Sequence, residues 1–151
     1  MERLDGAVAV ASAVLKTADG RRPRIAIVGG TPSSAMVATV LCQQFGCSTI
    51  STPTGESVLA LLRRDTPVDL VVIDLSVADM DGIVAVQLIR ALGARGALPV
   101  VALAAARADV ATNRARAAGF NGAVLKPYSP RELFAAMQSA LDKTSAAGAT
   151  G

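Results

Sequence analysis

Five short aliphatic runs constrain this chain more than any other feature. They are residues 25–28, 47–51, 69–74, 98–104 and 122–126, and each is separated from the next by enough chain for a helix. Runs such as "DLVVID" and "LPVVALA" are apolar on both faces, as strands in the middle of a layered domain must be. Strands alternating with helices read as βαβ units, and right-handed crossovers then force the strands parallel, with helices on both sides.

The connecting segments carry helix punctuation. A helix is predicted from about Ser33 to Phe45 and ends at Gly46; Thr54 caps another that runs to about Arg64. A third follows Asp81-Gly82 and ends near Gly93, and a small-residue helix covers about 108–118 before Gly119. The last opens on "SPRE", with Ser129 as cap, Pro130 in the first turn and Glu132 completing a capping box, and runs to about Leu141. Residues 4–17 also suit a helix, with Leu4, Val8, Ala11 and Leu15 on one face. The expected organisation is an N-terminal helical extension and linker over 1–22, one folded domain over 23–143, and a flexible tail over 144–151. The fold class is α/β: a doubly wound, three-layer α/β/α sandwich around a five-stranded parallel sheet of flavodoxin-like order 2-1-3-4-5.

Composition removes whole classes of function. The chain has no His, which excludes imidazole metal sites, Ser-His catalysis and His phosphotransfer on this chain. With no Trp, one Tyr and three Phe there is little to stack on bases or sugars, and a net charge of +3 is spread over scattered Arg and Lys, so nucleic acid is not an expected partner. Cys42 and Cys47 form no CxxC pattern and read as reduced packing residues in a cytoplasmic protein. No segment reaches the roughly 20 apolar residues of a membrane helix. "GAVAVASAVL" only mimics a signal peptide, because its leader holds Glu2 and Asp5 beside Arg3.

Ligands of open α/β sheets bind at the carboxyl ends of the strands. Here those ends offer Gly29-Gly30, Asp74, Ala104-Ala105 and Lys126-Pro127. Asp74 and Lys126 project into one crevice from strands three and five. A carboxylate facing a fixed ammonium suits a nucleophile for a phosphoryl group, with the Lys offsetting charge on the transferring oxygens. It equally suits an ion pair that only closes the sheet. "GGTPSS" at the end of strand one offers a different chemistry, an anion or nucleotide phosphate cradled by backbone N–H groups at a helix start. Ordinary capping by Thr31 or Ser33, with Pro32 in the turn, explains the same residues.

From Arg24 to about Leu141 the chain resembles the receiver domains of two-component response regulators. "VDLVVIDLSVADMDG" is similar to the family's third strand and following loop, with Asp74 at the phospho-acceptor position. "GFNGAVLKPYSPREL" is similar to its fifth strand, with Lys126-Pro127 at the Lys-Pro position. The resemblance implies a Mg²⁺ site built from two acids at the end of strand one, the acceptor Asp74 and a backbone carbonyl, here that of Ser76. It implies switch positions at the end of strand four and three residues before the Lys. This chain departs at each of these places. Gly29 and Gly30 stand where the acids are expected, Ala104 where a Ser or Thr is expected, and Ala123 where an aromatic is expected. Val77-Ala78 replaces a frequent Met-Pro.

Mg²⁺ takes octahedral oxygen ligands, and Asp74 is the one side chain left to supply them unless Asp79 or Asp81 reaches inward. Losing a hydrogen bond to a charged group costs about 1.5–3 kcal/mol, the expected scale of the change at Ala104. The expectation is a non-enzymatic, stand-alone atypical receiver with weak or no Mg²⁺-dependent phosphorylation. Its partners would be a histidine kinase, a phosphotransfer protein or another receiver, met on the face of the 108–118 helix, strand five and the last helix, near Arg107, Arg114 and Arg116. The alternatives are a phosphorylatable single-domain regulator using Asp74, and an anion- or nucleotide-binding module using Gly29-Gly30. Residues 4–17 would add a homodimer contact or dock on their own domain.

Overall fold

The structure is a computed structural model that describes residues 14–77 and 79–150. Its strands are β1 (Arg24–Val28), β2 (Ser48–Thr52), β3 (Leu70–Asp74), β4 (Val100–Ala104) and β5 (Gly122–Leu125). All pair in parallel, in the order β2-β1-β3-β4-β5. The expected sheet and topology are therefore present, with strand ends displaced by one or two residues.

Side chains alternate across the sheet, and the alternation assigns each helix its layer. Ala26, Val28, Val71, Ile73, Val100 and Ala102 face one core, shared with Val58, Leu59 and Leu62 of α2 (Gly55–Arg63) and Val86 and Ile89 of α3 (Gly82–Arg90). Ile25, Ile27, Leu70, Val72, Val101 and Leu103 face the other. There they meet Ala38 and Cys42 of α1 (Pro32–Gln44), with Leu133 and Met137 of the last helix. Every residue of β3 and β4 is buried, as central strands with helices on both sides require.

Three expectations need correction. The small-residue helix is two pieces, α4 (Ala108–Ala111) and α5 (Asn113–Ala118). Thr112 between them is extended (φ −70°, ψ 156°), and its hydroxyl accepts from the Ala115 N–H, so the second piece starts from a new cap. The last helix, α6 (Pro130–Thr150), continues past its expected end near Leu141. At the other end, residues 14–17 are not helical. The Leu15 N–H donates to the Phe45 carbonyl at 3.0 Å and its side chain is fully buried, so tertiary contact decides this stretch. The rest of the predicted N-terminal helix lies outside the described residues.

Candidate functional site: the Asp74–Lys126 crevice

β3 carries Asp74 to the carboxyl edge of the sheet, where it pairs in register with Leu103; the neighbouring Ala104 pairs with Leu125, so Lys126 leaves β5 at the same edge. The Lys126 Nζ lies 2.6 Å from Asp74 Oδ2. The Ser34 hydroxyl donates to the same oxygen at 3.3 Å. Asp74 Oδ1 accepts from the Ser76 N–H at 2.9 Å and the Ser76 hydroxyl at 2.5 Å. Both carboxylate oxygens are thus engaged, and the side chain is only 3% exposed. Burial pushes the Asp74 carboxyl up, but the hydrogen bonds from Lys126 and Ser76 together outweigh it and hold it below the usual carboxylate range.

Gly29 and Gly30 frame the crevice from β1. Both adopt positive φ, +70° and +86°, where side chains are disfavoured. A Cβ on Gly30 would stand 2.9 Å from Asp74 Oδ2, and one on Gly29 would stand 2.8 Å from the Val77 Cβ. The glycines therefore do more than omit two acids: the backbone has turned so that the carboxylate and loop occupy their space. Thr31 caps α1 by accepting from the Ser34 N–H at 3.1 Å, with Pro32 at the helix start. The Gly29 N–H donates to the Thr52 carbonyl. Two of the backbone donors that an anion at this turn would need are thus already used. The neighbouring cavity, about 390 Å³, is lined chiefly by apolar atoms of residues such as Ile27, Ala35, Met36 and Pro53.

The two other loop acids turn away from the crevice. Asp79 accepts from the Gly55 and Glu56 N–H groups at the start of α2. Asp81 caps α3 through the Ile83 N–H and pairs with Arg114 at 2.9 Å. No group of three or more Cys, Asp or Glu able to hold a metal occurs among the described residues. Asp74 and the Ser76 carbonyl do not fit Mg²⁺: one carboxylate is present, both its oxygens are saturated by donors, and a carboxylate at position 30 would collide with it.

Ala104 and Ala123 stand at the two positions where switch residues are expected. Ala104 is buried and its carbonyl accepts from the Lys126 N–H. Ala123 is exposed and lines a groove of about 330 Å³ with Val110, Arg116, Phe120 and Asn121. Of the three arginines placed near this face, Arg114 is held by Asp81.

Sequence reasoning missed two donors to Asp74, the hydroxyls of Ser34 and Ser76. Ser34 had a signal, since it lies on the first turn of the helix that follows the crevice glycines. It also missed Tyr128. That ring packs on the core beside α1, and its hydroxyl is buried without a hydrogen-bond partner among the described residues. Burial raises its pKa, and Asp74 adds to the effect.

The response regulator receiver domain family matches residues 25–138. The DNA-binding response regulator MtrA of Mycolicibacterium smegmatis is 32% identical over 123 residues, covering 82% of this chain and 52% of that protein. An uncharacterized 14.6 kDa protein of Leptolyngbya boryana is 29% identical over 114 residues, covering 76% of this chain and 86% of that one. The chain spans about half the length of the MtrA relatives it matches. Among solved structures, a sensor protein from Polaromonas sp. JS666 superposes with a TM-score of 0.76 at 22% identity, covering 82% of this chain and 99% of that one. The receiver domain of a sensor histidine kinase from Pseudomonas aeruginosa, solved with magnesium in its active-site cleft, gives 0.70 at 22%, covering 80% and 98%. At 22% identity these two likenesses show the fold alone. By its sheet, its Asp74 and Lys126 positions and this family match, the chain belongs to the response regulator receiver domains of two-component signalling.

Proposed function

We propose that this receiver signals by binding a protein partner with Asp74 unmodified, and not by cycling a phosphoryl group. The partner would be a histidine kinase, a phosphotransfer protein or another receiver. One observation carries this reading: both oxygens of Asp74 already hold donors, from Lys126, Ser76 and Ser34, with no second carboxylate beside them among the described residues. An incoming phosphoryl donor would have to displace that set, with no metal site to offset its charge. The altered switch positions point the same way. A modification shifts a conformation only through contacts that differ between two states, and neither Ala104 nor Ala123 has the hydroxyl or ring to make such contacts.

The test is incubation of the protein with Mg²⁺ and labelled acetyl phosphate, then with a labelled phospho-kinase. No stoichiometric label is expected. Stoichiometric label that needs both Mg²⁺ and Asp74, and that disappears in Asp74→Ala, would overturn the proposal in favour of a phosphorylatable regulator.

A further inference from the structure

Arginines that lie far apart in sequence, at 21–24, 63–64 and 95, are gathered by the fold at the amino edge of the sheet, opposite the Asp74 crevice. The loop from Arg64 to Asp69 is the seam that joins them. It leaves α2 at Arg63 and Arg64, both exposed. Its Thr66 carbonyl accepts from the Arg95 guanidinium at 2.5 Å. At its far end the Asp69 N–H donates to the Arg24 carbonyl and the Asp69 carboxylate accepts from the Arg24 N–H, both at 2.8 Å. Arg24 stands two residues before Ala26 on β1, so its side chain faces the same side of the sheet as α2. The six-residue seam spans at most about 20 Å.

Few acids answer this charge. Asp19 and Asp69 both pair with Arg21, and Asp65 lies 3.8 Å from Arg95. Arg22, Arg24, Arg63 and Arg64 are exposed and have no carboxylate within ion-pair distance among the described residues. These four exceed the net charge of +3 on the whole chain, so the remainder is close to neutral. A helix C-terminus favours a cation in its last turn, which accounts for Arg63 and Arg64 but not for Arg22 and Arg24. The edge also lacks the large apolar or aromatic anchor on which protein interfaces are centred. Three of the five exposed large hydrophobic residues are on α1, Val14 packs beside Gly46 at its end, and Leu88 stands singly on α3. Charge without an apolar centre suits a polyphosphate, whose binding comes from counterion release and whose oxygens match the guanidinium fork. The four aromatic rings all pack on the two cores and leave none to stack on an unpaired base, so a duplex fits better than a single strand. About 20 Å of duplex presents about a dozen phosphates. We propose that the amino edge of the sheet, through Arg22, Arg24, Arg63 and Arg64, binds the phosphate backbone of duplex nucleic acid without reading its sequence. The face lies away from the crevice and does not depend on the state of Asp74.

Fluorescence anisotropy of the full-length chain with a labelled short DNA duplex tests this. Affinity should fall about a hundredfold between about 50 and 200 mM salt, as four neutralised phosphates require. It should differ by less than about twofold between duplexes of unrelated sequence. Arg63→Gln with Arg64→Gln, both on the surface, should weaken binding and lower the log–log salt slope by about 2, with the unfolding midpoint retained. Arg131→Gln, on the first turn of α6 at the opposite edge, should change neither. No binding at low salt, or a salt slope that the paired substitution leaves unchanged, overturns the proposal. A preference for vesicles of anionic phospholipid or for poly-glutamate over the duplex, at equal charge concentration, also overturns it and assigns the edge to a membrane or to an acidic protein.

Discussion

Each end of the sheet holds a charged side chain in a network, Asp74 at one and Arg90 at the other, and the two are satisfied differently. At the carboxyl end, Asp74 is buried and has a counter-ion, Lys126, plus neutral donors. At the amino end, the half-buried guanidinium of Arg90 has no carboxylate within ion-pair distance among the described residues. It instead donates to the carbonyls of Gly96, Leu98 and Gly119 and to the Asn121 amide oxygen. Asn121 in turn accepts from the Val100 N–H at the start of β4. Arg90 thereby ties together the segments that lead into β4 and β5. Arginine suits this because its fork of donors stays charged and satisfies several acceptors at once. The comparison teaches that a charge in this fold can be purely architectural. It also shows that the Asp74–Lys126 pair is built as tightly as the architectural one.

The largest expected effect is at the amino end. Arg90→Met keeps apolar bulk but leaves carbonyls and the Asn121 amide without their donor, and should cost about 3 kcal/mol in denaturant unfolding. A loss near zero would show that water replaces the guanidinium, and would break the comparison. Next comes Lys126→Met, which leaves the buried Asp74 carboxylate without its counter-ion and should cost about 2 kcal/mol, while adding Asp74→Leu should recover most of that loss. A double variant no better than the single would mean that the pair is not the unit of stability.

The smallest effect is in pH. The folded Asp74 carboxyl is depressed, so its contribution to stability is present above its unfolded value of about 3.9 and lost as pH falls through the lower folded value. Burial desolvates the group in the opposite sense, but the Lys126 and Ser76 hydrogen bonds prevail. Asp74→Asn should therefore flatten the acid side of the stability profile relative to the parent, measured as midpoint denaturant between pH 7 and pH 3. Arg90 does not titrate in this window, so the two ends of the sheet separate cleanly. An unchanged acid limb in Asp74→Asn would place the acid sensitivity in the other carboxylates.

The sheet was legible in the sequence because its signals are local. Each aliphatic run is followed by its own turn residues, and caps such as Thr54 and Ser129 act within three positions. The positions of Asp74 and Lys126 followed once the strands were in order. What escaped was decided at long range or by competition. Leu15 left the helical pattern for the Phe45 carbonyl, and Thr112 used its hydroxyl to restart a helix. Arg90 finds its acceptors only when residues 96–121 fold back over it, which no local pattern announces. Gly29 and Gly30 were legible as missing acids, but their positive φ and the closeness of the Asp74 carboxylate were not, because these depend on how the loop from Leu75 to Val77 settles.

The partly buried Tyr128, with its buried hydroxyl, has a practical consequence. It is the only tyrosine in a chain without tryptophan. Absorption and emission in the near ultraviolet beyond phenylalanine therefore come from one ring, set between α1 and the Asp74 crevice. The protein carries its own optical reporter there. Any ligand, partner or substitution that opens the crevice and wets that phenol is readable without a label, and a change elsewhere that leaves it dry is optically silent.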